Sequence, residues 1–299
     1  MGKTAFLFSG QGAQRAGMGK EFYEHFASVR ALFDAAEELR PGTLQQMFAG
    51  SDDELRQTEN TQPCLYLADL AAAYALRDSG LQPEAVAGFS LGEIPALAFA
   101  GAYDGMTGFR LACARGASMA RAGRNVNASM AAIVKLPDET VERLCAAYDH
   151  VWPVNYNCDG QIAVSGDRDE LERLYADVAA AGGRHSPYMD PASAEFGAIL
   201  ADTVLQKPAL PAYANRTAEP YGENVRELLT QQINHPVRWK ETLRHLNEQG
   251  FDTFVECGAG MVLCKLVRKN LPECRSFAVD SLAGLAKLQE EGLLCCSAT

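Results

Sequence analysis

The chain has 299 residues, 47% hydrophobic and 22% charged, enough for one large domain with a sizeable core or for a domain and a half. No apolar run approaches the ~20 residues of a membrane span, and the first apolar stretch, residues 5–8, is too short for a secretory leader, so a cytoplasmic location is expected. A net charge of −11 argues against nucleic acid and anionic membranes as partners.

Residues 4–8 alternate too little for a half-exposed strand and read as a central parallel one. The next six residues, Ser9-Gly10-Gln11-Gly12-Ala13-Gln14, form a Gly-rich loop. It lacks the Lys-Ser/Thr of a phosphate loop and the third glycine of a dinucleotide loop, so its glycines suit close backbone approach to a ligand. A helix is expected over 19–38, with Phe22, Phe26, Val29, Phe33 and Ala36 on a core-facing stripe. Thr61-Gln62-Pro63 opens a second helix over 64–79, with proline in its first turn.

Residues 81–88 read as a strand feeding Gly88-Phe89-Ser90-Leu91-Gly92, and 94–100 as a helix. A strand, then Gly-x-Ser-x-Gly, then a helix is the context of a nucleophile elbow, and Ser90 stands at its tip. A bare match also fits an ordinary Gly-rich turn with an exposed serine. In the helix over 107–122, Arg115 follows Leu111, Ala112 and Ala114. Either it points inward, where it needs an anionic partner, or it is an exposed helix arginine.

From Ser129 the pattern becomes β-α-β-β-α: strand 130–134, helix 138–149, strands 151–157 and 161–165, helix 167–181. This is one strand short of a ferredoxin-like unit and reads as a small subdomain over 126–185, inserted in a larger α/β domain of residues 1–125 and 186–299. A loop, His185 to Ala192, carries two prolines; a histidine in such a loop is ordinarily just exposed. Helices are expected over 194–206, 228–233, 241–249 and 261–269, strands over 208–214, 253–257 and 277–279, and a loose tail after 289. Nine cysteines without a C-x-x-C pair, and five histidines without His-x-x-x-His, predict free thiols and no structural metal.

Taken in order, Phe8 to Gln14, Thr61-Gln62-Pro63, Gly88 to Glu93, Arg115-Gly116, Ser129 to Ala132, Val154 to Asn157, His185 to Ala192 and His235 to Trp239 resemble the malonyl-CoA:acyl carrier protein transacylases of fatty-acid synthesis. They also resemble the related acyltransferase domains of polyketide synthases. The resemblance covers nearly the whole chain. It implies a doubly wound, mostly parallel α/β core with an inserted ferredoxin-like subdomain, and ping-pong transfer of malonyl from malonyl-CoA to the phosphopantetheine thiol of acyl carrier protein. Ser90 would be the nucleophile and His185 the general base, then acid. The family orients this histidine through a backbone carbonyl at the position of Gln232; Asp190 is the less favoured third member. The N–H groups of Gln11 and Leu91 would form the oxyanion hole, Arg115 would bind the malonyl carboxylate, and Phe89 and Gln62 would line the acyl pocket. No cofactor or metal is implied, malonyl-CoA being a substrate, and analogy implies a monomer. Because carrier proteins of this kind are acidic, a local basic patch of Arg15, Arg184, Arg238 and Lys240 is expected beside Ser90.

Two departures stand out. The family has histidine where this chain has Phe89, a larger apolar side chain that should crowd the malonyl α-carbon and give no gain of branched acyl units. Between the helix ending near 181 and His185 the family has a longer stretch, which forms the last strand of the small sheet; here Gly182-Gly183-Arg184 leads straight to the histidine. The small sheet is therefore expected to lack its fourth strand. Two other readings compete: an acyl hydrolase of the same fold, and an impaired module that only binds carrier protein. An inward Arg115 disfavours the first, and intact Ser90, His185, Gln11 and Arg115 disfavour the second.

Overall fold

The first strand, β1 (Lys3–Phe8), is buried from Thr4 onward. Its alternate residues enter two different cores, which is why it stands at the centre of a parallel sheet. Phe6 and Phe8 face the cluster containing the helix Thr58–Asp78, with their rings 5.8 and 6.0 Å from that of Phe99. Ala5 and Leu7 face Trp239, Leu243, Leu263 and Leu266 on the helices Trp239–Glu248 and Val262–Asn270. The computed structural model describes residues 2–123, 127–178 and 190–294.

The remaining strands are β2 (Ala85–Gly88), β3 (Ala128–Val134), β4 (Val151–Cys158), β5 (Gln161–Asp167), β6 (Ala212–Tyr213), β7 (Phe251–Cys257) and β8 (Arg275–Val279). The large sheet runs β6-β2-β1-β7-β8, every pair parallel. Helices cover both faces, as the doubly wound expectation has it. The small antiparallel sheet runs β3-β5-β4. Its own core joins Ile133, Val151, Ile162 and Val164 to Val141, Leu171 and Leu174 of its two helices. Among the described residues this sheet has three strands, and the shortened connection before His185 lies in 179–189, outside them.

The small sheet is tied to the large domain along β4. Val237 N–H donates to the Val154 carbonyl (3.0 Å) and Tyr156 N–H to the Val237 carbonyl (2.9 Å). Asn270 Nδ2 donates to the Asn157 carbonyl at 2.9 Å, and Lys240, 9% exposed, reaches Asp138 and Asp159 of the small subdomain.

Several elements differ from expectation, three of them for a clear physical reason. The helix expected over 19–38 is two, Lys20–His25 and Ala27–Leu39, because Phe26 takes an extended backbone and starts the second helix afresh. The second helix begins at Thr58, so Pro63 lies inside it rather than in its first turn. That proline forfeits one helix bond, and burial of nearly every residue from Thr61 to Leu76 outweighs the loss. The strand expected over 208–214 shrinks to β6, two residues at the sheet edge.

Candidate active site

Ser90 follows β2 and precedes the helix Glu93–Phe99. It sits at the carboxyl ends of the parallel strands, where open α/β sheets bind their ligands. Its φ is +53°, a left-handed conformation that costs a non-glycine residue on the order of 1 kcal/mol. Glycine at 92 is required by contact: a Cβ there would stand 2.2 Å from the Phe8 carbonyl oxygen. Gly10 meets the same condition against the elbow, since its Cβ would lie 2.6 Å from the Phe89 carbonyl oxygen. The Gln11 loop is thereby pressed onto the turn that carries Ser90. The two Gly-rich segments, distant in sequence, form one wall.

Ser90 opens into a cavity of about 460 Å³ lined by Gln11, Phe89, Arg115, Met119, Asn155 and Gln232, among others. Polar side chains form a connected ring around it. Arg115 is 1% exposed. It donates to Gln62 Oε1 at 2.9 Å, to Gln232 Oε1 at 3.0 Å and to Ser90 Oγ at 3.2 Å. Gln62 Nε2 donates to Gln11 Oε1 at 3.3 Å, and Gln232 Nε2 to the Ser90 carbonyl at 2.8 Å. Arg115 Nε has no hydrogen-bond partner, and among the described residues no carboxylate oxygen lies within 4.0 Å of the guanidinium. Burial lowers its pKa to about 10, partly offset by the nearby Glu93 carboxylate, so it stays charged at neutral pH. A charge this dry, with neutral amides as its direct partners, is poised for an anion from outside.

Glu93 lies behind the elbow, 1% exposed. Its Oε1 accepts from the Asn215 N–H at 2.8 Å and the Tyr221 hydroxyl at 2.7 Å. Burial raises its pKa to about 7, against the lowering effect of those two bonds and of Arg115. The Ser90 N–H donates to Asn215 Oδ1 at 2.7 Å. That N–H is therefore engaged within the protein and is not available to an oxyanion.

The structure thus brings Ser90, Leu91, Gln11, Arg115, Gln62, Phe89 and Gln232 together. Two placements alter the expectation. Gln62 is fully buried and does not line the cavity; it braces Arg115 from behind. The Gln232 side chain is spent on Arg115 and Ser90, whatever its backbone carbonyl does. Phe89 does line the cavity, and its ring packs edge-on against the buried Trp239 with centroids 5.3 Å apart. His185 and the Asp190 side chain lie outside the described residues.

The expected basic patch does not form from its three described members. Arg15 pairs with Asp280 at 2.9 Å, Arg238 pairs with Glu241, and Lys240 is buried between Asp138 and Asp159. Each is neutralised by a neighbour that is remote in sequence or a helical turn away; Arg184 lies outside the described residues. Exposed cations occur instead on the helix Val262–Asn270, where Lys265, Arg268 and Lys269 have no carboxylate partner among the described residues. That helix starts beside the Ser9–Gln14 loop: Gly260, just before it, approaches Ala13. Sequence reasoning missed Asn215, which lies 125 residues from Ser90; its only signal was an amide residue directly after a short apolar strand.

Residues 5–295 match the acyl transferase domain family. The chain is 33% identical to a malonyl CoA-acyl carrier protein transacylase of Synechocystis, over 96% of its own length and 100% of that protein's. It is 37% identical over 90% of its length to the polyketide biosynthesis protein ThaF of Burkholderia thailandensis, but spans only 24% of that protein. Among solved structures, it matches a chain of the complex between a type II polyketide acyl-carrier protein and its malonyl-transacylase, with TM-score 0.90 and 30% identity, covering 97% of this chain and 99% of that one.

Proposed function

The chain belongs to the acyl transferase family, with the malonyl-CoA:acyl carrier protein transacylases among its relatives, and from this we propose how its own residues carry out that transfer. Ser90 Oγ attacks the thioester carbonyl of malonyl-CoA. The proton from Oγ passes through His185 to the departing CoA sulfur, and the N–H groups of Leu91 and Gln11 hold the oxyanion. In the second half the carrier protein's phosphopantetheine thiol attacks the malonyl-Ser90 ester, gives its proton to His185, and Ser90 regains its hydroxyl. The observation that carries this reading is Arg115, a buried guanidinium 3.2 Å from Ser90 Oγ and without an ion pair among the described residues. Its position suits the free carboxylate of a malonyl group and has no use in an enzyme for neutral acyl chains.

We read the pathway as fatty-acid synthesis and the protein as a cytoplasmic monomer that needs no cofactor. The relative named for polyketide biosynthesis favours a polyketide carrier as the second reading, and transfer assays with holo carrier proteins of both classes decide between them. Phe89, held by Trp239, narrows the cavity beside Ser90, and methylmalonyl-CoA is expected to be a poor donor. The substrate reading is tested by Arg115→Ala. Removing one charge-assisted bidentate contact costs about 2–3 kcal/mol, so loading from malonyl-CoA should fall about 10²-fold. Slow loading from acetyl-CoA should be unaltered. Equal losses with both donors would contradict the assignment.

A further inference from the structure

We infer that Asn215 is a positioning residue that holds the nucleophile elbow closed. Its side-chain amide bridges the two ends of the turn: Oδ1 accepts from the Ser90 N–H at 2.7 Å, and Nδ2 donates to the Gly88 carbonyl at 2.5 Å. One planar group thus ties together the backbone on either side of Phe89. The tie is needed because Ser90 sits at φ +53° without the freedom of a glycine, and such a conformation persists only where the surroundings enforce it.

Asn215 is itself fixed through both of its backbone groups and is 2% exposed. Its N–H donates to Glu93 Oε1 at 2.8 Å, and the Tyr221 hydroxyl donates to the same oxygen at 2.7 Å. Its carbonyl accepts from the Arg238 N–H at 2.9 Å. The register explains how a remote residue arrives here. Val86 pairs with Ala212 and Ala87 with Tyr213, so the chain leaving β6 runs alongside the elbow. The role of β6, only two residues long, is to deliver this amide. Holding the Ser90 N–H also keeps it from the oxyanion, so that Ser90 Oγ is aimed at the cavity while the donors come from Leu91 and Gln11.

The inference rests on Ser90 being the nucleophile, and its test uses two reagents so that the two claims can fail separately. Intact-protein mass follows Ser90 modification over time by malonyl-CoA and, independently, by a fluorophosphonate, which needs only an activated serine. In Asn215→Ala both modifications are expected to slow roughly tenfold to a hundredfold, with the malonyl-CoA KM within about twofold of wild type. Asn215→Asp is nearly isosteric and keeps the protein folded for the test should the alanine variant fail to fold. Ionised, the introduced carboxylate sets an oxygen against the Gly88 carbonyl; protonated, it restores both bonds. The titratable groups facing it are Glu93 and Tyr221, with Arg115 near Glu93; Arg238 meets this position only through its backbone N–H. Its rate relative to wild type is therefore expected to climb as pH falls from about 8 to about 5.5, a recovery that simple loss of packing does not produce. Wild-type rates in the alanine variant, or an Asp-to-wild-type ratio flat with pH, would overturn the inference. A wild type that reacts with the fluorophosphonate and not with malonyl-CoA would sink the malonyl reading alone, and the fluorophosphonate rates of the variants would still decide on Asn215. Reaction with neither would sink both.

Discussion

Arg115 and Glu93 are both buried beside Ser90, yet they make no direct ion pair, and each bears a separate cost of desolvation. For Glu93 this has a sign that can be measured. Its carboxyl is pushed from 4.5 to about 7 in the folded protein, so the folded state holds its proton more tightly than the unfolded chain. The stabilisation is complete below about pH 4.5 and is lost as pH rises through about 7, a swing on the order of 3 kcal/mol. Urea denaturation of wild type and Glu93→Gln at pH 5 and pH 8 should show wild type weakening relative to the variant at the higher pH. A gap that does not change with pH would mean that Glu93 is not as dry as its position indicates. At this scale the motif residues were legible because their chemistry is local: Gly92 and Ser90 are near neighbours, and the strand-turn-helix order singles out Ser90 without any distance. Arg115 could be read only as inward or outward, since its partners Gln62 and Gln232 come from other helices. Asn215 left only the faint signal of an amide after a strand, because a side chain acting on backbone groups 125 residues away leaves no spacing to find.

Single elements showed the same division. The strands of the large sheet were visible as apolar runs, since burial on both faces is written in composition. Helix ends were less so: Phe26 and Pro63 each sit where tertiary packing overrides local preference. The small subdomain was legible as β-α-β-β-α, but its attachment was not. That attachment depends on Val237 pairing with β4 and on Lys240, which sequence alone assigned to a surface patch. Lys240 is better described as a buried tie between the large domain and the small subdomain. Lys240→Ala leaves Asp138 without its cation and should cost about 2 kcal/mol, less than a fully buried pair because Asp159 remains solvated. Hydrogen exchange should report this locally, with faster exchange at Tyr156 and Val237 than in wild type. Unchanged protection at those amides would show that the backbone pairing alone holds the subdomain.

For the molecule as a whole, the net charge of −11 is unfavourable for meeting an acidic carrier protein, and docking then depends on where exposed cations lie relative to the cavity. Lys265, Arg268 and Lys269 are exposed on one helix that starts next to the loop lining the cavity. Charge reversal of Lys265 and Lys269 should raise the KM for holo carrier protein roughly fivefold at low salt, an effect that fades with added salt, while loading from malonyl-CoA is unchanged. No effect on the carrier KM would remove this helix from the docking surface. The central claim, that Ser90 carries malonyl between two thiols, is tested most directly by intact-protein mass after brief incubation with malonyl-CoA, with Ser90→Ala alongside. The account predicts a single malonyl adduct on wild type, none on the variant, and loss of the adduct when holo carrier protein is added. No adduct on wild type, or an equal adduct on Ser90→Ala, would contradict it.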